Sequence, residues 1–574
     1  MSRSMNRRSW LATWPIGALF STRAAITNGR SRASRQALAK HRNLFNGDSC
    51  TYFYNPELWQ PEGGPYSAKA IHNYVDLLAS SGIDTFLINP NAQVAWYPSK
   101  KLQTVLDGYK RGDREFFRGH AVAVGTTSDR MDDYLDHQVK FFNLYQDLID
   151  AGVDWLAETS KACRRHGVSP WVSVRMNDMH GAANPKGSHF NCALFKDEKN
   201  CLSGRPFDPK DSRHPGWAGL NYEIPAVRQF MMSHIREYLE VYDFEGMELD
   251  WLRNPHCCEA PAGQAQCDLI TSWIADVRSH TEARSRRLNK PVPLGIRIPG
   301  NLGYMKSIGV DVPRLVREGL VDFIGFSNFW QSSWDMPYDE LRQQVGPDVA
   351  IYGVVEDAPN WVRGYAPSLH TGGLRYMAAS PQMQWANAAG KLALSVDGIE
   401  QFNFFCTDQA KIPGLRCDYA ALKDTHNIAA LRGRPKHYCL ESPSTWDSRA
   451  WELPEPVPAD IDTQGRREFR LSMCSEPKNM KLTVQVVIPK QSDHPELGVS
   501  VNGAWPSFRK QRTQDLLFPV GPYTQHLPEN QAYNFEFAAS GILEGWNRML
   551  VINNEKKADG IVRVVSLELG VRQS

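Results

Sequence analysis

Several things are missing from these 574 residues, and each absence removes a class of protein. No run beyond the N-terminal segment is apolar over the roughly 20 residues that a membrane-spanning helix needs. No G-x-G-x-x-G follows the first strand-like run, which sets aside the dinucleotide-binding open sheets. That run, "CTYFYNP", also lacks the His-x-His pair usual in barrel metallohydrolases. No short Cys-x-x-Cys pairs recur, so a zinc site is the weaker reading of the cysteines. Residues 1–43 contain no Asp or Glu and nine Lys or Arg; subtracting nine from the formal +2 leaves the remainder at −7. A mildly acidic body offers no phosphate-tracking surface, and nucleic acid is not an expected partner.

What is present begins with that basic leader. "SMNRRSWLATWPIGALFSTRAA" has a basic start, a short apolar centre broken by Pro15 and Gly17, and small residues after it. Arg7 and Arg8 before Trp10-Leu11 resemble a bacterial twin-arginine export signal. The expectation is a signal over 1–25, a linker over 26–45, and a periplasmic or extracellular destination. Eleven cysteines is an odd number, so at least one thiol stays unpaired if the rest bond within the chain. Export would permit disulfides. Cys192 with Cys201, and Cys257 or Cys258 with Cys267, bracket loops that such bonds would close.

The length exceeds one ordinary domain. Hydrophobic content of 42% with 22% charge fits a globular protein. From about 49 to 405, short apolar runs alternate with amphipathic stretches. The runs are 50–56, 85–91, 170–178, 246–252, 294–300, 322–330, 350–357 and 398–405. Helical patterns such as "PAVRQFMMSHIREYLEVY" lie between them, with apolar residues at three- and four-residue spacing. Eight strands separated by helices predict an α/β fold, a closed (β/α)8 barrel over 46–440. Two long insertions, about 92–130 and 179–222, follow strand C-termini, the functional face of this architecture. The second carries His180, His189, His214 and Trp217, as an ordered pocket wall would. After 440 the pattern alternates, as in "KLTVQVVIP" and "IVRVVSLELGV", and predicts an antiparallel β-sandwich over 441–574. The order "VSVNG … LEGWNRMLVINN … VVSLELGV" resembles the galactose-binding-like modules appended to many glycoside hydrolases.

The stretch "GMELDWLR" carries the chemistry. Strand alternation points Glu248 and Asp250 one way and Met247, Leu249 and Trp251 the other. The apolar set suits the helix layer, so the acids point into the barrel, with Asp250 nearest the mouth. Lone charges there would be very costly. By the same parity Arg175 and Arg297 point inward from the neighbouring strands. Glu248, one layer down, reads as framework answered by one of these arginines; Asp250, at the rim, reads as the working group. A second carboxyl is available in Glu356, at the end of the seventh strand, and a third in Asp335 after the sixth.

The eight-strand pattern with "GMELDWLR" at strand four resembles exported bacterial glycoside hydrolases built on (β/α)8 barrels, over about 45–435. That resemblance implies a carbohydrate substrate and a carboxyl pair, one protonating the leaving oxygen and the other attacking carbon or activating water. Families similar to retaining α-galactosidases place a nucleophilic Asp at the end of strand four, matching Asp250, and the acid after strand six, where this chain has Asp335. The clan using Glu on strands four and seven supports Glu356, although it normally carries Asn-Glu where this chain has Leu249-Asp250. The assignment is Asp250 with Glu356, Asp335 being the alternative acid.

Side chains at strand ends suit sugar binding: Tyr52, Tyr54, Asn89, Asn91, Asn177, Asp178, His180, Arg297, Asn328, Trp330, Gln401 and Asn403. Arg253, just beyond Asp250, would hold an acidic substituent or tie down its loop. No cofactor and no metal is expected. Two other readings stay open: a barrel that binds carbohydrate without cleaving it, and a metal-dependent hydrolase using Asp178, His180 and Asp250.

Overall fold

The computed structural model describes residues 36–48, 51–53, 56–202, 219–329, 332–356, 379–402, 404, 418–441, 452–491, 494–520, 523–557 and 560–574. Eight parallel strands close into a barrel: β1 (Asn43–Asp48), β2 (Thr85–Asn89), β3 (Ser169–Arg175), β4 (Met247–Asp250), β5 (Leu294–Ile298), β6 (Phe323–Phe326), β7 (Ala350–Glu356) and β8 (Gly398–Phe402). Each pairs with the next, and β8 returns to β1 with Asn46 opposite Phe402. This is a TIM barrel.

One strand differs from expectation. The first is Asn43–Asp48, "NLFNGD", not the run 50–56. Thr51–Phe53 forms a 3-10 turn in which Tyr52 is wholly buried. That sequence is the more apolar of the two because it packs under helices, whereas β1 presents Asn46 and Asp48 to a polar interior.

Side chains facing inward sort into levels. Leu44, Leu87, Trp171, Phe323 and Tyr352 form an apolar floor. Two residues further along β1, β3 and β4 stand Asn46, Ser173 and Glu248, all buried. Met247, Leu249 and Trp251 face the surrounding helices and join the large core between barrel and helix ring. Small residues make room for the large ones: a Cβ on Gly295 would lie 2.3 Å from the Phe323 ring.

A second, antiparallel part follows. Its strands are β9 (Lys436–Glu441), β10 (Ala459–Ile461), β11 (Arg466–Met473), β12 (Met480–Pro489), β13 (Leu497–Val501), β14 (Phe508–Thr513), β15 (Asp515–Val520), β16 (Tyr523–Gln525), β17 (Asn530–Ala538), β18 (Gly545–Asn553), β19 (Val562–Val564) and β20 (Ser566–Gln573). A five-stranded sheet, β14-β17-β12-β20-β9, and a three-stranded sheet, β11-β18-β13, enclose an apolar core and form the β-sandwich. Alternation on β12 shows why: Leu482, Val484, Val486 and Ile488 enter this core. Strand β9, which begins at Lys436, before the expected boundary at 441, pairs with β20 and so belongs to the sandwich sheet.

All eight described cysteines are buried free thiols. The bracketing disulfides expected at Cys192/Cys201 and at Cys257 or Cys258/Cys267 are therefore not formed. The sulfurs serve as weak donors instead: Cys201 to the Phe195 carbonyl, and Cys257 and Cys267 to the carbonyls of Ile308 and Lys306. No described helix is long and apolar enough to cross a membrane.

Candidate active site

The C-terminal half of the barrel interior is built around Arg297. Its Nη1 lies 3.2 Å from Asp250 Oδ2 and its Nη2 lies 3.2 Å from Glu356 Oε1. Its Nε stands 3.9 Å from Glu400 Oε1. The guanidinium carbon lies over the Phe402 ring, 3.4 Å from its centroid. Burial alone would weaken the arginine's charge, but Asp250, Glu356, Glu400 and Glu248 outweigh this and raise its pKa. Two contacts across one planar fork leave Asp250 and Glu356 no more than about 9 Å apart, on the scale of the roughly 5–9.5 Å that separates glycosidase carboxyls. Asp250 is further fixed by the Leu252 N–H, which donates to its Oδ1 at 2.9 Å.

Beneath this pair lie two carboxyls, Glu248 and Glu400, that have no arginine at hydrogen-bond distance among the described residues. Glu248 Oε1 accepts from Ser173 Oγ at 2.7 Å and from Asn46 Nδ2 at 2.9 Å. The expected arginine partner is absent because Arg297 reaches up to Asp250 and Glu356, and Arg175 turns to Asp48 Oδ1 at 2.6 Å. Asn46 donates equally to Glu400 Oε1 at 2.9 Å, so one amide links both acids. Burial, then Glu400 and Asp250 beside it, pushes Glu248 well above the usual carboxylate range. Burial also pushes Glu400 up to about 7, against the pull of Arg297 and Asn46. Gly325 leaves the space for Glu400, since a Cβ there would sit 2.7 Å from its Oε2.

A third cluster flanks the mouth. Asp178 is buried, and its Oδ2 meets Arg253 Nε at 3.0 Å and Arg175 Nη1 at 3.4 Å. Its Oδ1 accepts from the His180 backbone N–H at 2.9 Å and pairs with the ring Nδ1 at 2.7 Å. Burial opposes this charge, but His180, Arg253 and Arg175 hold Asp178 well below the usual carboxylate range. Burial and Arg253 in turn lower the His180 pKa. These partners favour the anionic form of Asp178. No group of three or more His, Cys, Asp or Glu with metal-holding geometry occurs among the described residues. Trp96, from the first insertion, covers Arg175 at 4.9 Å, and Phe190, from the second, packs against Trp96.

Arg297 therefore brings Asp250 and Glu356 together, and Asp178, His180 and Arg253 form the adjoining wall. Several amides expected to meet sugar are used within the framework instead. Asn89 donates to the Ser173 carbonyl and Asn91 to that of Arg175. Asn177 donates to Leu220 and His256 and ties two loops. Asn328 is buried at the end of β6. Gln401 faces the helix layer and donates to Thr425. Asp335 faces Lys391 and Arg470 at the seam with the β-sandwich, and burial raises its pKa. Tyr54, His214, Trp217, Trp330 and Asn403 lie outside the described residues. Sequence reasoning missed Asn46, Asp48 and Glu400. Parity on "GIEQF" carried the signal for Glu400, whose alternate residues face inward.

The molecule so defined is a TIM barrel with carboxyls gathered on an arginine at its C-terminal mouth, joined to a β-sandwich. No family model matches the chain, and no curated protein matches it. Among solved structures it is similar to the glycoside hydrolase domain of PgaB from Bordetella bronchiseptica, at 11% identity and a TM-score of 0.38, over 67% of this chain and 99% of that one. It is similar also to α-L-fucosidase isoenzyme 2 from Paenibacillus thiaminolyticus, at 13% identity and a TM-score of 0.38, over 68% of this chain and 49% of that one. A glycoside hydrolase family 18 N-acetylglucosaminidase from Paenibacillus barengoltzii aligns at 10% identity and a TM-score of 0.33, over 67% of this chain and 99% of that one.

Proposed function

We propose that this chain is a glycoside hydrolase in which Asp250 and Glu356 act as the carboxyl pair. The observation that supports this reading is their meeting on the Arg297 guanidinium, from strands on different sides of the mouth, which holds them no more than about 9 Å apart. Asp250, held by Arg297 and the Leu252 N–H, is the anion that attacks the anomeric carbon or activates water. Glu356 is the group that serves the leaving oxygen. Arg253 and His180, partly exposed beside them, contact substrate hydroxyls. The test is a panel of oligosaccharides assayed for released sugar with wild type, Asp250→Asn and Glu356→Gln. Release by the wild type and its loss in both folded variants support the proposal; no release from any glycan defeats it.

The same arginine favours a second reading. A guanidinium that neutralises both carboxylates suits a barrel that binds glycan without cutting it. Binding on a glycan array with no product after prolonged incubation would favour that alternative. The N-terminal segment is proposed to direct export; a reporter fused to residues 1–45 that stays in the cytoplasm would refute this.

A further inference from the structure

The helix Pro381–Ala393 stands between the barrel and the β-sandwich, and its two faces have different tasks. Ser380 caps it, accepting the Met383 N–H, and Pro381 opens its first turn. Gln384, Asn387 and Lys391 recur at three- and four-residue spacing and so share one face. All three are buried. Gln384 Nε2 donates to the Glu356 carbonyl at 3.5 Å. Asn387 Nδ2 and Lys391 Nζ donate to the Ser333 carbonyl at 3.0 and 2.6 Å. The neighbouring Ser332 Oγ accepts the Glu356 N–H at 2.9 Å and lies 3.3 Å from the Glu356 carbonyl. The lysine stem is pressed against β7, where a Cβ on Gly353 would sit 2.8 Å from its Cδ.

The other face is docked on the sandwich. Met383 and Ala386 share an apolar core with Tyr438, Phe469, Leu471 and Met473, and Trp334 from the Ser332–Ser333 loop enters the same core. At Gly390 the approach is closest: a Cβ would lie 2.5 Å from the backbone oxygen of Ser472 on β11. The loop that grips the Glu356 backbone is thus held by this helix on one side and the β-sandwich on the other.

We infer that the β-sandwich is a positioning element of the active site: seated on this helix, it fixes Ser332 and Ser333, and through them Glu356, with Gln384, Asn387 and Lys391 as the positioning residues. The inference rests on the reading of Glu356 as a working carboxyl. A sandwich that served only to hold substrate would change KM; one that aims Glu356 changes kcat.

Two substitutions in the full chain test this. Lys391→Met keeps the stem and removes the donor to Ser333; Gly390→Ala pushes a methyl against Ser472. Each is expected to lower kcat tenfold or more on a cleaved glycan, with KM within twofold. Lys391 is buried, with its pKa lowered by burial to about 7. Its replacement also removes the charge that faces Asp335, so some loss of melting temperature is expected, and the deciding readout is kcat against KM in the folded variant. Independently of activity, amide hydrogen exchange in 332–336 and 350–356 should quicken in both variants. Unchanged exchange and unchanged kcat in either folded variant overturn the inference. Quickened exchange, with no glycan cleaved even by the wild type, supports the clamp and sinks the hydrolase reading.

Discussion

The floor and the mouth of the barrel share strands and stand four residues apart on them, as Tyr352 and Glu356 do on β7, yet they obey opposite physics. At the floor, Leu44, Leu87, Trp171, Phe323 and Tyr352 are fully buried and apolar. Each such side chain stabilises the fold by about 1.5–3 kcal/mol through burial. Toward the mouth, Glu248, Asp250, Glu356 and Glu400 are equally buried around Arg297. Taking charges out of water costs more than their pairing returns unless the geometry is excellent. Stability is thus made at one end of the barrel and given up at the other, and the end that gives it up is the end where this fold carries its chemistry.

The sharpest way to break the comparison is to remove chemistry without removing fold. Asp250→Asn keeps the shape of the side chain and should lower glycan hydrolysis by about 10²–10⁴-fold. Circular dichroism and melting temperature would be close to wild type. Arg297→Met makes the opposite error at the same level, removing the guanidinium that Asp250 and Glu356 share. It should cost about 3–5 kcal/mol in chemical denaturation. Trp171→Ala, at the floor, should cost a similar 3–5 kcal/mol by opening a cavity. Its folded fraction, however, should retain wild-type turnover. A floor variant that loses turnover while folded would erase the distinction between the two levels.

How far the sequence shows this contrast depends on the strand. "GMELDWLR" displays its two faces openly, because Met247, Leu249 and Trp251 are large and apolar while Glu248 and Asp250 are not. Parity there locates Asp250 and, one strand on, Arg297. It fails for β1, where Asn46 and Asp48 occupy inward positions on a short strand ending in Gly47-Asp48, and "CTYFYNP" looks the better strand. What made β1 polar is the company it keeps, Glu248 and Glu400, at 202 and 354 residues' distance along the chain. Asn89, Asn91 and Asn177 show the same limit from the other direction. Their residue type suits sugar, but only the fold reveals that backbone carbonyls have already claimed their amides. The pairing of Glu248 with an inward arginine fails for a related reason. Parity says which side chains face the axis, not how far up the barrel each one reaches.

The gentlest prediction concerns the two acids between floor and mouth. Burial, then Glu400 and Asp250, push Glu248 well above the usual carboxylate range and so favour its protonated form, with one oxygen accepting from Ser173 and Asn46. Gln is nearly the shape of a protonated Glu, so Glu248→Gln should change stability at pH 7 by under about 1 kcal/mol, the range of a typical net hydrogen bond. Glu400 titrates higher in the folded chain than unfolded, about 7 against 4.5. The folded state therefore binds the extra proton between those values. Its contribution to stability is complete below pH 4.5 and is lost as pH rises toward and through about 7. Glu400→Gln removes that loss, so the variant should gain on wild type as pH rises from 5 to 8. Paired urea denaturations at those two pH values measure the difference. A gain that is equal at both would mean that Glu400 holds no proton near neutrality, and that the boundary between the neutral and the charged levels of the barrel lies below Asn46 rather than above it.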